Sequence, residues 1–448
     1  MKKKLLIVIS LILAVMSILG ACVKNPDVTE ETTGAIPEET TGEAGVTYEP
    51  MFINGVNATE YTLVYDSTAV TGSTYARNYF NETLKASHGV ELEKSKTAVE
   101  GYNIFIGALG TDATVKAFYD SAEDGMICYD GKNVYLLAKD NSQLYDVVDA
   151  FFAKKTEANE ITVKQNEKIA VPGVSIKVMS YNVLYDKFYD DAQSLPRDIN
   201  KLADFIASEA PDVFGTQETQ DFHYEAILEA MPNYDCYKGV KLKGGAQMQN
   251  MIFWNKDKFK LVDKGYQYLT ATPYVVSKIP ESNSYRGLTY VVLESLETHK
   301  QFLFVNTHLT YRDSNDRTDN DLPRKKQAQF LKKFLESDRF STMPMILVGD
   351  FNSVPNSGAL NTVEGVKRLD RAAEVAETKG DTGGTINGSN GTVRDNKYKF
   401  DHIFVTSDRI TTTFFTTLDK ESMAMHEDSG VERYLSDHMP VIANITIY

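Results

Sequence analysis

From Ser175 to its last residue the chain repeats one device: a short apolar run that stops on an amide, an acid or an imidazole. Ile176-Lys177-Val178-Met179-Ser180-Tyr181-Asn182 ends in an amide. Asp212-Val213-Phe214-Gly215-Thr216-Gln217-Glu218 ends in an acid, and Phe302-Leu303-Phe304-Val305-Asn306-Thr307-His308 in a histidine. The fourth, Ile346-Leu347-Val348-Gly349-Asp350-Phe351-Asn352-Ser353, carries an acid with an amide two places on. Short β-favouring apolar runs read as buried strands. Gly349 lets the backbone turn as the strand leaves the core, and period-two geometry puts Asp350 and Asn352 on one side of the strand's mouth. A carboxylate and an amide there can hold a water and a phosphate oxygen together. Two further acids precede strands: Asp401-His402 before Ile403-Phe404-Val405, and Ser436-Asp437-His438 before Met439 to Ile447. If these two strands run antiparallel to the first four, all the polar groups converge on one rim, where α/β sheets place ligands. Singly, each of these residues reads equally well as a cap, a turn former or a satisfied core group. Their recurrence is what constrains the fold.

The N-terminus is of another kind. Met1-Lys2-Lys3-Lys4 is basic, Leu5 to Gly20 is an almost unbroken apolar run, and Leu19-Gly20-Ala21-Cys22 follows. This is a signal peptide, and the small residues before the cysteine resemble the lipobox of bacterial lipoproteins. The resemblance implies a lipoprotein signal peptide over 1–22, lipidation of Cys22 and cleavage before it. A short uncleaved anchor is the other reading, since the run is near the lower limit for spanning. Either way the remainder is expected outside the cell, tethered to the outer face of the membrane. Residues 23–50 are rich in Glu, Thr, Gly and Pro, with Glu30-Glu31-Thr32-Thr33-Gly34 recurring as Glu38-Glu39-Thr40-Thr41-Gly42. They are expected to form a disordered acidic tether reaching on the order of 30 Å.

Residues 51–172 alternate strand-like and helix-like stretches: strands at Tyr61 to Tyr65, Tyr102 to Gly107 and Lys132 to Ala138, helices at Ser73 to Ser87 and Leu144 to Phe152. A small α/β domain is expected. It resembles the α/β domains ahead of catalytic barrels in secreted glycoside hydrolases, which implies an accessory or glycan-facing role; a spacer with no ligand is the plainer reading. Val171-Pro172-Gly173 marks its end. Cys128, in Met126-Ile127-Cys128-Tyr129, reads as a buried small hydrophobe, and no disulfide to Cys236 is expected. In the part that follows, a helix is expected from about Pro196 to Ala207, with Ile199, Leu202, Phe205 and Ile206 as its apolar face.

Met179-Ser180-Tyr181-Asn182, Gln217-Glu218, Asn306-Thr307-His308, Gly349-Asp350-Phe351-Asn352, Asp401-His402-Ile403 and Ser436-Asp437-His438 together resemble, in order and spacing, the motifs of the endonuclease/exonuclease/phosphatase superfamily. That group includes pancreatic deoxyribonuclease, sphingomyelinases and inositol polyphosphate phosphatases. The resemblance covers 173–448 and implies a four-layer α/β sandwich, two packed mixed β-sheets flanked by helices. It also implies hydrolysis of phosphate esters with Mg²⁺ or Mn²⁺, a hard cation suited to oxygen ligands. Glu218, helped by Asn182 and Asp437, is the expected metal ligand. By resemblance Asp350 orients or deprotonates the attacking water, and Asn352 hydrogen-bonds it or the phosphate. His438 lies near the phosphate, with Asp401 accepting its other N–H. His308 stabilises phosphate charge or protonates the leaving oxygen, and Arg286, with Asn182, contacts phosphate. The pattern departs in one place. Relatives carry a glutamate that pairs with the first histidine, whereas this chain has Gln247, Met248, Gln249 and Asn250. His308 is therefore expected to lack a carboxylate partner and to serve as a neutral hydrogen-bonding group.

The substrate is less legible. A formal net charge of −15 disfavours gripping polyanions by bulk electrostatics, although a divalent cation supplies local positive charge. No basic cluster is longer than Arg324-Lys325-Lys326, which is expected to start an amphipathic helix reaching Leu335, and the preceding loop from Tyr311 is polar. The expected function is an extracytoplasmic, membrane-tethered, metal-dependent phosphoesterase. The alternatives are a secreted nuclease, a sphingomyelinase-like lipid phosphodiesterase, or a non-catalytic surface lipoprotein that binds a glycan or a partner.

Overall fold

The computed structural model describes residues 48–65, 72–107, 113–121, 123–185, 198–239, 249–282, 284–311, 321–386, 398–419, 424–426 and 432–448. The signal peptide, Cys22, the tether up to Thr47, the expected helix start at Pro196, Gln247 and Met248, and residues 312–320 of the polar loop lie outside them. No helix among the described residues is long and apolar enough to cross a membrane.

The alternating stretches of the first part form strands β1 (Tyr61–Tyr65), β2 (Lys94–Ser95), β3 (Tyr102–Ile106), β4 (Gly125–Tyr129), β5 (Val134–Ala138) and β6 (Asn166–Ile169), ordered β2-β1-β3-β5-β4-β6. Helices α1 (Gly72–His88), α2 (Ala113–Tyr119) and α3 (Leu144–Phe152) connect them. Helix α3 turns Leu144, Val147, Val148 and Phe151 into the core beside Phe80 and Leu136. Each such side chain contributes about 1.5–3 kcal/mol. Cys128 is buried, as expected, and it and Cys236 are free thiols.

The apolar core changes hands at Val171 and Val174. Beyond that point lie β7 (Val174–Asn182), α4 (Ile199–Glu209), β8 (Val213–Thr219), α5 (Asp221–Ala230), β9 (Tyr234–Tyr237), β10 (Gln249–Asn255), β11 (Phe259–Tyr268), β12 (Gly287–Ser295), β13 (Gln301–His308), α6 (Leu322–Leu335), β14 (Met345–Asp350), α7 (Gly358–Glu364), β15 (Leu369–Arg371), β16 (Thr378–Lys379), β17 (Asp401–Thr406), β18 (Ile410–Thr417) and β19 (Val441–Ile447). The strands make a seven-stranded sheet, β9-β10-β8-β7-β19-β18-β16, and a six-stranded sheet, β11-β12-β13-β14-β17-β15.

Val178, Val213 and Ile252 of one sheet meet Phe304, Ile346 and Ile403 of the other in the central core. The outer face of the first sheet packs on α4 and α5 through Phe214, Phe205 and Ile227. That of the second packs on α6 and α7 through Leu347, Leu331 and Leu360. The result is a four-layer α/β sandwich of two mixed sheets. Helix α4 starts at Ile199, three residues after the expected Pro196, because Asp198 accepts a hydrogen bond from the Lys201 amide at 2.9 Å and caps it there.

β7 pairs parallel with β8, and β13 with β14, while β17 and β19 run antiparallel to their neighbours β14 and β7. This is the arrangement under which all the polar strand ends converge. The register is tight: His308 pairs with Asp350, and Asp350 with Asp401. Two details differ from expectation. Asp401 and His402 lie inside β17 rather than before it, because the pairing with β14 extends to the end of that strand. β19 begins at Val441 rather than Met439, just after Pro440, which has no N–H to give a ladder.

The end of the sandwich away from these residues is its floor, and there the N-terminal part docks. Tyr145 Oη donates to Asp408 Oδ2 at 2.6 Å, and Arg368 Nε pairs with the same oxygen at 2.7 Å. The Arg409 guanidinium lies 4.2 Å from the Tyr145 ring centroid. Lys300, just before β13, meets Asp146 at 2.5 Å. Residues Tyr48–Tyr448 thus make one compact unit.

Candidate active site

Two glycines set the mouth. A Cβ on Gly349 would sit 2.2 Å from the Thr307 carbonyl oxygen, so no larger residue fits before Asp350. A Cβ on Gly215 would lie 2.7 Å from Asn306 Cγ. Its absence lets Asn306 reach across from the other sheet and donate to the carbonyls of Thr216 and Met251 at 2.9 and 2.8 Å. Gln217 Nε2 answers by donating to Asn306 Oδ1 at 2.8 Å. This buried polar bridge pins the sheets together beneath the site: Asn306 uses both its donors and its acceptor, while Gln217 Oε1 is left without a partner.

Above the bridge, three non-glycine residues adopt left-handed backbone: Leu184 (φ 58°), Glu218 (φ 58°) and Asn352 (φ 47°). Such conformations cost about 1–3 kcal/mol each and gather where function requires them. At Glu218 the cause is visible: the β8–β10 register shifts between Thr216 and Thr219, a bulge that re-aims the acid. Its Oε2 accepts from the Tyr185 amide at 3.1 Å.

Asp350, only 1% exposed, is the hub. Its Oδ1 accepts from the Asn352 amide at 2.8 Å and its Oδ2 from Asn182 Nδ2 at 3.0 Å. Burial pushes its carboxyl up to about 7, against the pull of His438. His438 Nδ1 donates to Asp401 Oδ2 at 2.8 Å, and its Nε2 lies 3.6 Å from Asp350 Oδ2. Burial opposes charge on this imidazole, but Asp401 and Asp350 outweigh it and hold the imidazolium well above the ordinary range.

His308 is the opposite case. Burial, with Arg286 and His438 adding to it, holds its imidazole far below the ordinary range. Asn352 Nδ2 donates both to the Leu309 carbonyl at 3.0 Å and to His308 Nε2 at 3.1 Å. The same Nε2 lies 3.4 Å from Asp350 Oδ2, so, against expectation, His308 does have a carboxylate neighbour, supplied by Asp350 and not by a glutamate.

Arg286 is 6% exposed, and its Nε has no partner. Burial lowers its guanidinium, while Glu218 and Asp350 oppose that. Glu218 is raised by burial and then by Asp437. Every residue expected to act on the ester or the cation therefore falls at this one mouth: Asn182, Glu218, Arg286, His308, Asp350, Asn352, Asp401, Asp437 and His438. Sequence reasoning missed Ser436, whose hydroxyl donates to the Asn182 carbonyl at 2.6 Å and ties β19 to β7; its place in Ser-Asp-His was the available signal. It also missed the Gln217–Asn306 bridge, although both residues stand in quoted motifs.

Four carboxyls here face one guanidinium and one imidazolium, and Glu218 is strained by its neighbour Asp437. That imbalance, in an oxygen-rich donor set, fits a divalent cation. Ligand atoms of Asp350, Asp401 and His438 also lie within 4.8 Å of one another. A charged imidazolium already bound to Asp401 offers no lone pair to a metal, so the Glu218 side is the better fit.

The sequence model described as the Endonuclease/Exonuclease/phosphatase family matches residues 179–438. The chain belongs to that family. Endonuclease/exonuclease/phosphatase proteins are metal-dependent hydrolases of phosphate esters. Among solved structures, a family member from Bacteroides thetaiotaomicron superposes with a TM-score of 0.53 at 24% identity, over 62% of this chain and 99% of its own. A mannosyl-6-phosphatase of Bacteroides thetaiotaomicron gives 0.52 at 26%, over 60% and 99%, and a member from Bacteroides vulgatus 0.52 at 20%, over 61% and 100%. No curated protein matches the sequence.

Proposed function

We propose that this protein is a Mg²⁺- or Mn²⁺-dependent phosphoesterase in which Asp350 takes the proton of the attacking water. The observation that carries this reading is Asp350 itself: a buried carboxyl poised near neutrality, oriented by Asn182 and the Asn352 amide, and facing the His438 imidazolium. A general base works best when its pKa lies near the working pH. Glu218, Asn182 and Asp437 are the residues that would hold the cation, which when bound neutralises phosphate charge and stabilises the leaving oxygen.

The chain's own groups do the rest. Arg286 contributes a buried guanidinium with an uncommitted Nε, suited to a phosphate oxygen. His438, locked by Asp401, keeps its proton on Nε2 and turns it toward the phosphate. His308 is neutral, so it acts by hydrogen bonding and not as an imidazolium acid.

Support for a sugar phosphate as the ester comes from the likeness to the mannosyl-6-phosphatase. Support for an external, lipid-tethered location comes from the first 22 residues, with Cys22 the lipidated position. The test is a panel of mannose 6-phosphate, other sugar phosphates, nucleotides, DNA, RNA and sphingomyelin with added Mg²⁺ or Mn²⁺. Wild type should hydrolyse at least one of these, most readily a sugar phosphate, and stop on chelation. Asp350→Ala should lose about 10²–10⁴-fold in rate. Equal rates for wild type and Asp350→Ala across the panel would end the proposal.

A further inference from the structure

The turn that carries the base is short, buried and strained. Asn352 sits in left-handed backbone. The Phe351 amide donates to the Phe400 carbonyl at 2.8 Å, and the Leu309 amide to the Asp350 carbonyl at 2.9 Å. These bonds hold the front of the turn. Its far end is held by a residue that the catalytic roles leave unused. His402 Nε2 lies 3.1 Å from the Ser353 carbonyl oxygen. Burial brings this imidazole down to about 4, so it is neutral and carries one ring proton; the Ser353 carbonyl faces its Nε2, and the Lys399 backbone is its other polar neighbour.

His402 pairs in register with Gly349. Strand alternation puts it on the opposite face of β17 from Asp401. Its ring lies among Phe351 and Phe404 of the helix-side core, with centroids 5.7 and 6.0 Å away. It is therefore turned away from the mouth and cannot touch a substrate there.

We propose that His402 is a positioning residue for the catalytic turn: its imidazole N–H holds the Ser353 carbonyl, which keeps Asn352 left-handed and Asp350 aimed at the water. This rests on the reading of Asp350 as the base. A phenylalanine at 402 would fill the same aromatic pocket, but would leave the Ser353 carbonyl buried without a donor. Such a group is costly to leave unpaired, and the turn can relieve it only by shifting. A misplacement of about 1 Å at a reacting group is enough to cost about a hundredfold in rate.

The test compares His402→Phe, which keeps the ring and removes the donor, with His402→Gln, whose amide nitrogen reaches the position of Nε2. On the best substrate of the panel, His402→Phe should lower kcat about 10- to 100-fold with KM unchanged, and His402→Gln should recover most of it. A crystal structure of His402→Phe should show Asn352 leaving its positive φ. If His402→Phe does not fold, His402→Met against His402→Gln makes the same comparison with more yielding side chains. A donor-less variant that folds and keeps wild-type kcat overturns the inference, as does a His402→Gln variant as slow as the donor-less one. With Asp350→Ala assayed alongside, an inactive Asp350→Ala beside a fully active His402→Phe sinks this inference alone. A fully active Asp350→Ala sinks both.

Discussion

The two ends of the same strands treat buried charge in opposite ways. At the floor, Asp408 is met by Arg368 and by the Tyr145 hydroxyl on a single oxygen, and Lys300 is met by Asp146. Both ion pairs close within hydrogen-bonding distance, and Asp408 Oδ1, Arg368 Nη2 and Arg409 Nε are left without a partner. At the mouth four acids, Glu218, Asp350, Asp401 and Asp437, crowd on Arg286 and His438: burial and then Asp437 raise Glu218, and burial pushes Asp350 up to about 7. Folding alone does not complete this end. The floor is therefore read as structure, and the mouth as the candidate active site.

Three measurements break or sharpen that contrast. The largest effect is expected at the floor. Asp408→Ala strands Arg368 and removes the acceptor of Tyr145, and breaking a buried pair from one side costs about 3–5 kcal/mol. Denaturant unfolding should show that loss, while kcat on the best substrate stays at the wild-type value. A slower enzyme of unchanged stability would erase the distinction between the two ends.

The second effect concerns pH at the mouth. The Asp350 carboxyl is raised from 3.8 to about 7 in the fold. Below pH 4 it is protonated whether the chain is folded or not, and it makes no difference. Between about 4 and 7 the unfolded chain has lost that proton while the folded one keeps it, so stability falls as pH rises. Measured in chelator as the difference from Asp350→Asn, wild type should match the variant at low pH. It should fall behind by roughly 2–4 kcal/mol near neutrality. Superimposable curves would show that Asp350 pays no desolvation cost.

The smallest effect is at Glu218. Removing its charge relieves the repulsion from Asp437, so Glu218→Gln should stabilise the metal-free protein by about 1 kcal/mol. It should also abolish the rise in Tm that Mg²⁺ or Mn²⁺ gives wild type. A Glu218→Gln protein that still gains stability from the cation would place the metal elsewhere in the mouth.

Much of this was legible because a strand's end is written locally. An apolar run followed by Asp350, His308 or Asn182 needs no knowledge of its neighbours, and the antiparallel course of β17 and β19 follows once all the ends must meet. What stayed hidden depends on which sheet faces which. Asn306 crosses between sheets only because Gly215 stands opposite it, 91 positions earlier. The bulge at Glu218 gives no signal, since the residue in left-handed backbone is not a glycine. Tyr145 read only as part of the helix from Leu144 to Phe152, and nothing local said that its hydroxyl would reach Asp408, 263 residues away. His402 read as a companion of Asp401, although strand alternation turns the two apart.

The docked floor has one practical result. The mannosyl-6-phosphatase relative is matched over 99% of its own length by 60% of this chain. A truncation made to the relative's size, beginning near Gly173, would strip away Tyr145 and Asp146 and leave Arg368, Asp408, Arg409 and Lys300 on a newly bared surface. Such a fragment would keep every side chain of the candidate active site and still be a poorer protein, so purification should start from Tyr48.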